Sequence, residues 1–434
     1  MHWKEIYQSK VKGADAAVAA SVHSGNRIFL TGNCSVPRTL VAALVAHAPH
    51  VEGVEIVHPL TVGPALWAAP EMDGHLRTNT LFISGNVREG VWKKRVDYTP
   101  VLLSEFPLLF KKGVLPVDVA FAHLSSPDEA GFCSFGLETG LAKSPVESAR
   151  VIIAEVNPQM PYMLGDTRIH VSELDAIVEV DYTPYEYKMA ENPDDPVVEA
   201  IAQHIAALIP DGATLQVGIG AVPDTVLRYL EGKRDLGIHT ELISDGVMHL
   251  VEKGVITGAK KTLHPGRVVA GFGLGSGELY RWADHNPLVE FYPTEYINDP
   301  CVIGQNYRQV AINSAIEVDL TGQVCADSIG ARFFSGVGGQ IDFIYGASRS
   351  EGGVPIITLP STARDGEVSR IVPTLKPGAG VVTTRNHVHW VVTEHGAVDL
   401  YGKSIRQRVA ALISVADPRF REELWAAARS LDYV

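Results

Sequence analysis

Short apolar runs rich in Val and Ile recur along this chain, bounded by Gly, Pro or Asp and separated by stretches of helical periodicity. They fall at residues 27–30, 80–83, 117–120, 151–156, 214–217, 268–270, 356–359, 380–383 and 390–393. Runs this short, with no polar alternation, read as strands buried on both faces, the mark of a parallel sheet covered by helices. Between them, residues 197–208 place Ile201, Ile205 and Leu208 on one helical face, and Pro196 suits the first helical position. Residues 420–431 form a second expected helix. The fold class this predicts is α/β.

The chain has 434 residues, which at roughly 150 residues per domain suggests two to three domains. One boundary is visible. Residues 182–196 hold three prolines and a cluster of acids, the composition of an interdomain connection. The reading is a domain over 1–185, a linker over 186–196 and a second domain over 197–434.

The two halves resemble each other. Residues 32–40 (Gly-Asn-Cys-Ser-Val-Pro-Arg-Thr-Leu) align without gaps on 218–226 (Gly-Ile-Gly-Ala-Val-Pro-Asp-Thr-Val). Residues 80–87 (Thr-Leu-Phe-Ile-Ser-Gly-Asn-Val) align on 240–247 (Thr-Glu-Leu-Ile-Ser-Asp-Gly-Val) in the same order, with an N-terminal spacing 26 residues longer. Two matches in one order point to a duplicated α/β unit. They also expose an asymmetry: Glu241 stands where the first half has Leu81. An unpaired buried carboxylate costs several kcal/mol, so such a residue belongs at a strand end by a cleft or takes part in chemistry.

Composition removes several function classes. Lys and Arg number 37 against 50 Asp and Glu, a formal charge of −13, which disfavours nucleic-acid binding. No apolar run approaches the roughly 18–20 residues of a bilayer span. The N-terminal stretch lacks an apolar h-region, so no signal peptide is expected. Cys34, Cys133, Cys301 and Cys325 are widely spaced, which fits a reducing, cytoplasmic compartment and no disulfide framework.

Among the motifs, residues 214–230 read as strand, Gly loop and helix. Gly218 and Gly220 permit tight geometry, and amides at the helix start can face an anion or oxyanion. A nicotinamide oxidoreductase is a distant alternative, because Pro223 replaces the third glycine of a dinucleotide fingerprint. Residues 334–343 (Phe-Ser-Gly-Val-Gly-Gly-Gln-Ile-Asp-Phe) suggest a surface of backbone amides. Residues 271–277 read as a Gly-rich loop at a domain junction. His387 and His389 alternate on one strand face without a third ligand, so no metal site is expected.

With these residues in view, the chain resembles the acetyl-CoA hydrolase/transferase family, nearest to the 4-hydroxybutyrate and butyrate–acetate CoA-transferases. The resemblance rests on residues 218–223, 239–246 (His-Thr-Glu-Leu-Ile-Ser-Asp-Gly), 311–323 and 335–343, with 84–89, 95–100 and 131–136 in the same order. It implies two related open α/β domains with largely parallel sheets and an active site between them. It also implies CoA transfer from an acyl-CoA to a short carboxylate through a glutamyl-CoA thioester on Glu241. A carboxylate is ionised at neutral pH and needs no base, but each oxyanion needs amide donors.

The resemblance further places Val222 and Gly339 as oxyanion contacts. It sets Gln216, Val217, Gly218, Ile219, Gly220, Ile316, Gly338, Gly339, Gln340 and Arg364 against CoA. Val36, Pro37 and Asn86 border the carboxylate substrate. No tightly bound cofactor is implied, since CoA arrives as substrate, and a homodimer or homotetramer is expected. The rival reading is an acyl-CoA hydrolase using the same thioester with water as acceptor. A catalytically inactive CoA-binding or assembly protein is a third.

Overall fold

The computed structural model describes residues 2–187, 195–218 and 220–434. Most of the expected linker, and Ile219, lie outside the described residues. The chain forms two compact units. The first comprises Met1–Lys188, Glu241–Asp245 and Val269–Ile297; the second comprises Met189–Thr240, Gly246–Val268 and Asn298–Val434. Glu241 therefore packs with the first unit although its sequence position is in the second half.

The first unit is built on a seven-stranded sheet. Its order is Ala176–Glu179, Val151–Asn157, Val119–Ser125, Arg27–Leu30, Val54–His58, Leu76–Thr80 and Val96–Tyr98, and every neighbouring pair is parallel. All seven residues of Val119–Ser125 are buried, as expected of a central strand covered on both faces. Helices Ala14–Ser21 and Arg38–His47 bury Val18, Leu40, Val41 and Leu44 in a core shared with Ile28, Leu30, Ile56 and Phe121.

The second unit repeats the plan. Its strands run Gly396–Asp399, Trp390–Thr393, Val354–Thr358, Gln309–Ser314, Thr214–Val217, Gly237–His239. Only Gly396–Asp399 is antiparallel to its neighbour. Helix Pro196–Leu208 starts where Asp195 accepts the Val197 N–H at 2.9 Å, with proline in the first turn. In each unit the strand that feeds the Gly loop lies between its immediate successor on one side and a later strand on the other. The duplication is therefore one of topology as well as of sequence.

The sequence match at Thr80 and Thr240 does not follow that topology. Thr240 follows a strand that pairs directly with the Gly-loop strand. Thr80 ends a strand one place further out, paired with Val54–His58. The topological counterpart of Thr240–Glu241 is the segment after His58, so Leu81 does not occupy the place of Glu241. The extra strand accounts for the longer N-terminal spacing. Two strand expectations also change. The run at 80–83 is the end of Leu76–Thr80, and 380–383 contributes only a bridge from Thr383 to Val324.

Candidate active site

Glu241 sits where the strand pattern breaks between Gly237–His239 and Leu242–Ile243. It is half-buried. Its carbonyl oxygen accepts two backbone amides, Gly271 N–H at 2.8 Å and Phe272 N–H at 3.0 Å. Leu242 and Ile243 pair in parallel with Phe272 and Gly273. The Gly-rich stretch 271–277 is thus the clamp on the Glu241 backbone. Its first glycine keeps that approach uncrowded, since a Cβ on Gly271 would lie a tight 3.2 Å from the Glu241 carbonyl oxygen.

The expected carboxylate-binding residues belong to two loops of the first unit, after Arg27–Leu30 and Leu76–Thr80, and a third loop after Val54–His58 joins them; all three lie at the C-terminal ends of parallel strands. Asn33 N–H donates to Leu60 O at 2.6 Å, and Val62 N–H donates to Asn33 O at 3.0 Å. Asn86 Nδ2 donates to Gly63 O at 2.7 Å and to Thr61 Oγ1 at 3.1 Å. The three loops are therefore stitched together, and Asn86 is exposed at their surface. Val36 is 3% exposed and packs in the hydrophobic core, and Pro37 is buried. Both therefore shape the loop from behind. Cys34 is also buried, which pushes its thiol up to about 12 and leaves it no thiolate character.

In the second unit, Gln216 Oε1 accepts Ile312 N–H at 3.1 Å and Asn313 Nδ2–H at 3.0 Å. Val217 N–H donates to Thr240 Oγ1 at 3.3 Å. Gly220 has φ +123° and leads into helix Ala221–Tyr229, whose start carries no side-chain cap. Val222 lies in the first turn of this helix, where amide donors face outward along the axis. Gly338 has φ +61° and Gly339 precedes helix Gln340–Arg349. Gln340 Nε2 donates to Ser314 O at 2.7 Å and its Oε1 accepts from Thr383 at 3.0 Å. Ile316 N–H donates to Cys325 O at 2.8 Å.

The structure gathers Gln216, Gln340 and Ile316 around the end of strand Gln309–Ser314. The two glutamine side chains are engaged in holding it, and backbone is what these segments offer a ligand. Arg364 is exposed at the turn between Thr362–Ala363 and Val368–Ser369, with φ +53°.

Two buried carboxyls that sequence reasoning passed over hold the first Gly loop. Glu138 is fully buried; Oε1 accepts Leu141 N–H at 3.1 Å and Oε2 accepts from Asn33 Nδ2. Burial pushes it up to about 8. Glu155 accepts Leu40 N–H at 2.6 Å and the Tyr182 hydroxyl; burial pushes it up to about 7. Their signal in sequence was an acid set among apolar or small residues, Phe-Gly-Leu-Glu-Thr-Gly and Ile-Ala-Glu-Val-Asn.

Comparison with known proteins agrees with this architecture. Residues 1–186 match the acetyl-CoA hydrolase/transferase N-terminal domain and residues 275–428 the C-terminal domain. The chain is 49% identical to 4-hydroxybutyrate coenzyme A transferase of Clostridium kluyveri over 98% of both chains. Among solved structures it is similar to 4-hydroxybutyrate CoA-transferase of Porphyromonas gingivalis (41% identity, TM-score 0.87, 99% and 100% of the two chains). RipA of Yersinia pestis matches at 33% identity and TM-score 0.94 over all of both chains. Fold and relatives together define an enzyme of the CoA-transferase type. More narrowly, the chain belongs to the acetyl-CoA hydrolase/transferase family. Among the described residues no helix is long and apolar enough to cross a membrane.

Proposed function

We propose that this enzyme moves CoA from an acyl-CoA to a short-chain carboxylate such as 4-hydroxybutyrate, butyrate or acetate, by a ping-pong path through Glu241. The observation that carries this reading is the setting of Glu241. It is half-buried at a strand break, on a backbone clamped by two amides, within a motif that resembles the family's nucleophile segment.

The Glu241 carboxylate attacks the acyl-CoA carbonyl, the C–S bond breaks, and a mixed anhydride forms as CoA leaves as thiolate. The thiolate attacks the glutamyl carbonyl, expelling the donor's carboxylate and leaving a Glu241–CoA thioester. The acceptor carboxylate attacks that thioester, again giving a mixed anhydride and free thiolate. The thiolate then attacks the acceptor's acyl carbonyl, which releases the new acyl-CoA and restores Glu241. Covalent catalysis of this kind conserves the thioester's energy. Each attack passes through an oxyanion, which the Val222 and Gly339 amides would stabilise by about 3–4 kcal/mol per donor. CoA enters as a substrate and not as a resident cofactor. A soluble cytoplasmic homo-oligomer is the form in which we expect it to work.

The test is intact-protein mass after incubation with acyl-CoA. Wild type should gain one CoA and lose it on adding acetate. Glu241→Gln should gain none, and turnover should fall at least about a thousandfold, as for loss of a covalent nucleophile. A variant that keeps its turnover would refute the assignment. CoA release without an added carboxylate measures the hydrolytic alternative.

A further inference from the structure

Glu138 has no role in the transfer steps, yet it joins two parts of the first unit that do. On one side it holds Asn33, whose backbone is left-handed at φ +47° and whose side chain is buried. Asn33 lies in the loop that borders the carboxylate. On the other side Glu138 bridges Phe272 in antiparallel fashion. The amides of Phe272 and its neighbour Gly271 clamp the Glu241 carbonyl. Gly140, two residues after Glu138, donates its N–H to Gly271 O at 2.8 Å. The packing here leaves no slack, since a Cβ on Gly140 would stand 3.1 Å from Gly271 Cα.

We infer that Glu138 is a positioning residue for CoA transfer: it fixes the loop at residues 32–37, and the carboxylate bound there, relative to the backbone that carries Glu241. This rests on the assignments of Glu241 and of the carboxylate loop given above. Removing Glu138 would leave the Asn33 amide and the Leu141 N–H without partners in the interior, which the loop relieves by moving. Acceptor binding needs that loop, whereas the acyl-CoA half-reaction depends on it less. The two Michaelis constants should therefore separate. Burial holds Glu138 mostly neutral at pH 7, so a glutamine is close to isosteric. With the Asn33 amide turned over, glutamine can keep both hydrogen bonds.

The experiment measures KM for acyl-CoA and for acetate, together with the CoA adduct, in wild type, Glu138→Ala, Glu138→Gln and Asn33→Gly. Glycine keeps the left-handed backbone at position 33. Glu138→Ala and Asn33→Gly should raise the acetate KM about tenfold or more while the acyl-CoA KM moves less than about threefold. Both should still take up CoA on Glu241, and Glu138→Gln should stay within about threefold of wild type throughout.

The inference is overturned if folded Glu138→Ala keeps the wild-type acetate KM, if both constants rise together, or if Glu138→Gln is as impaired as the alanine variant. Should Glu138→Ala fail to fold, Asn33→Gly decides by the same criteria. A wild type that never gains CoA sinks the Glu241 assignment instead, and the acetate KM comparison still reports on Glu138.

Discussion

The Gly loops that follow Arg27–Leu30 and Thr214–Val217 share a sequence pattern and a place in their sheets, yet they are built oppositely. The first is packed shut. A Cβ on Gly32 would collide with the Leu60 carbonyl and the Pro59 ring, Asn33 is pinned by Glu138, and the helix behind the loop is capped across the fold by Glu155. The second is open. A Cβ on Gly218 would meet only ordinary contacts at 3.9 and 4.0 Å, and one on Gly220 meets nothing within 4 Å among the described residues. Its helix starts three aligned positions earlier, at Ala221 instead of Arg38, and neither helix is capped by the side chain of its own N-cap residue. One copy spent its helix N-terminus on an internal carboxylate; in the other, the strand at the corresponding place, Val354–Thr358, carries no acid. A duplicated element can thus become a rigid support in one place and a surface of backbone amides in another.

The sharpest break of this comparison is a pair of alanine substitutions. Gly32→Ala must push aside backbone, and should cost about 3 kcal/mol or more. Gly218→Ala has room and should change stability by no more than about 0.5 kcal/mol. Denaturant midpoints measure both, and equal losses would mean the two loops are alike. Glu155→Ala comes next. It strands the Leu40 N–H and the Tyr182 hydroxyl in the interior, for about 2 kcal/mol. If its midpoint matches wild type, the carboxylate is not what holds the first helix.

Much of the fold could be read in advance because buried parallel strands declare themselves as apolar runs. Thr214–Val217 and Trp390–Thr393 were expected to the residue. The Gly loops and Glu241 stood out because glycine and a lone acid break such runs. What escaped was long-range. Glu138 and Asn33 are 105 residues apart, and no local pattern pairs them. The clamp of Gly271 and Phe272 on Glu241 is likewise made through backbone atoms that every residue carries. Similarity of sequence also misled once, where Thr80 and Thr240 match on strands that hold different places. A short motif records turn chemistry and not sheet order.

The smallest effect is a pH dependence seated in the first unit. Glu138 and Glu155 have carboxyls raised by burial to about 8 and about 7, against an ordinary 4.5. Between pH 4.5 and these values the folded protein holds protons that the unfolded chain has released, so stability falls as pH rises. The contribution is complete below about 4.5 and gone above about 8. Each carboxyl can change stability by at most about 1.4 kcal/mol per pH unit within its window, and relaxation of the interior will leave less. Buried His58 and His123, held down by burial to about 4 and about 3, act in the opposite sense up to about pH 6.5. Denaturant midpoints of wild type should therefore decline between about pH 6.5 and pH 8. Glu138→Gln removes one ionisation and should flatten that decline, most distinctly towards pH 8, where Glu155 is close to fully ionised. A parallel decline in both proteins would place the titrating group elsewhere than in the support of the first loop.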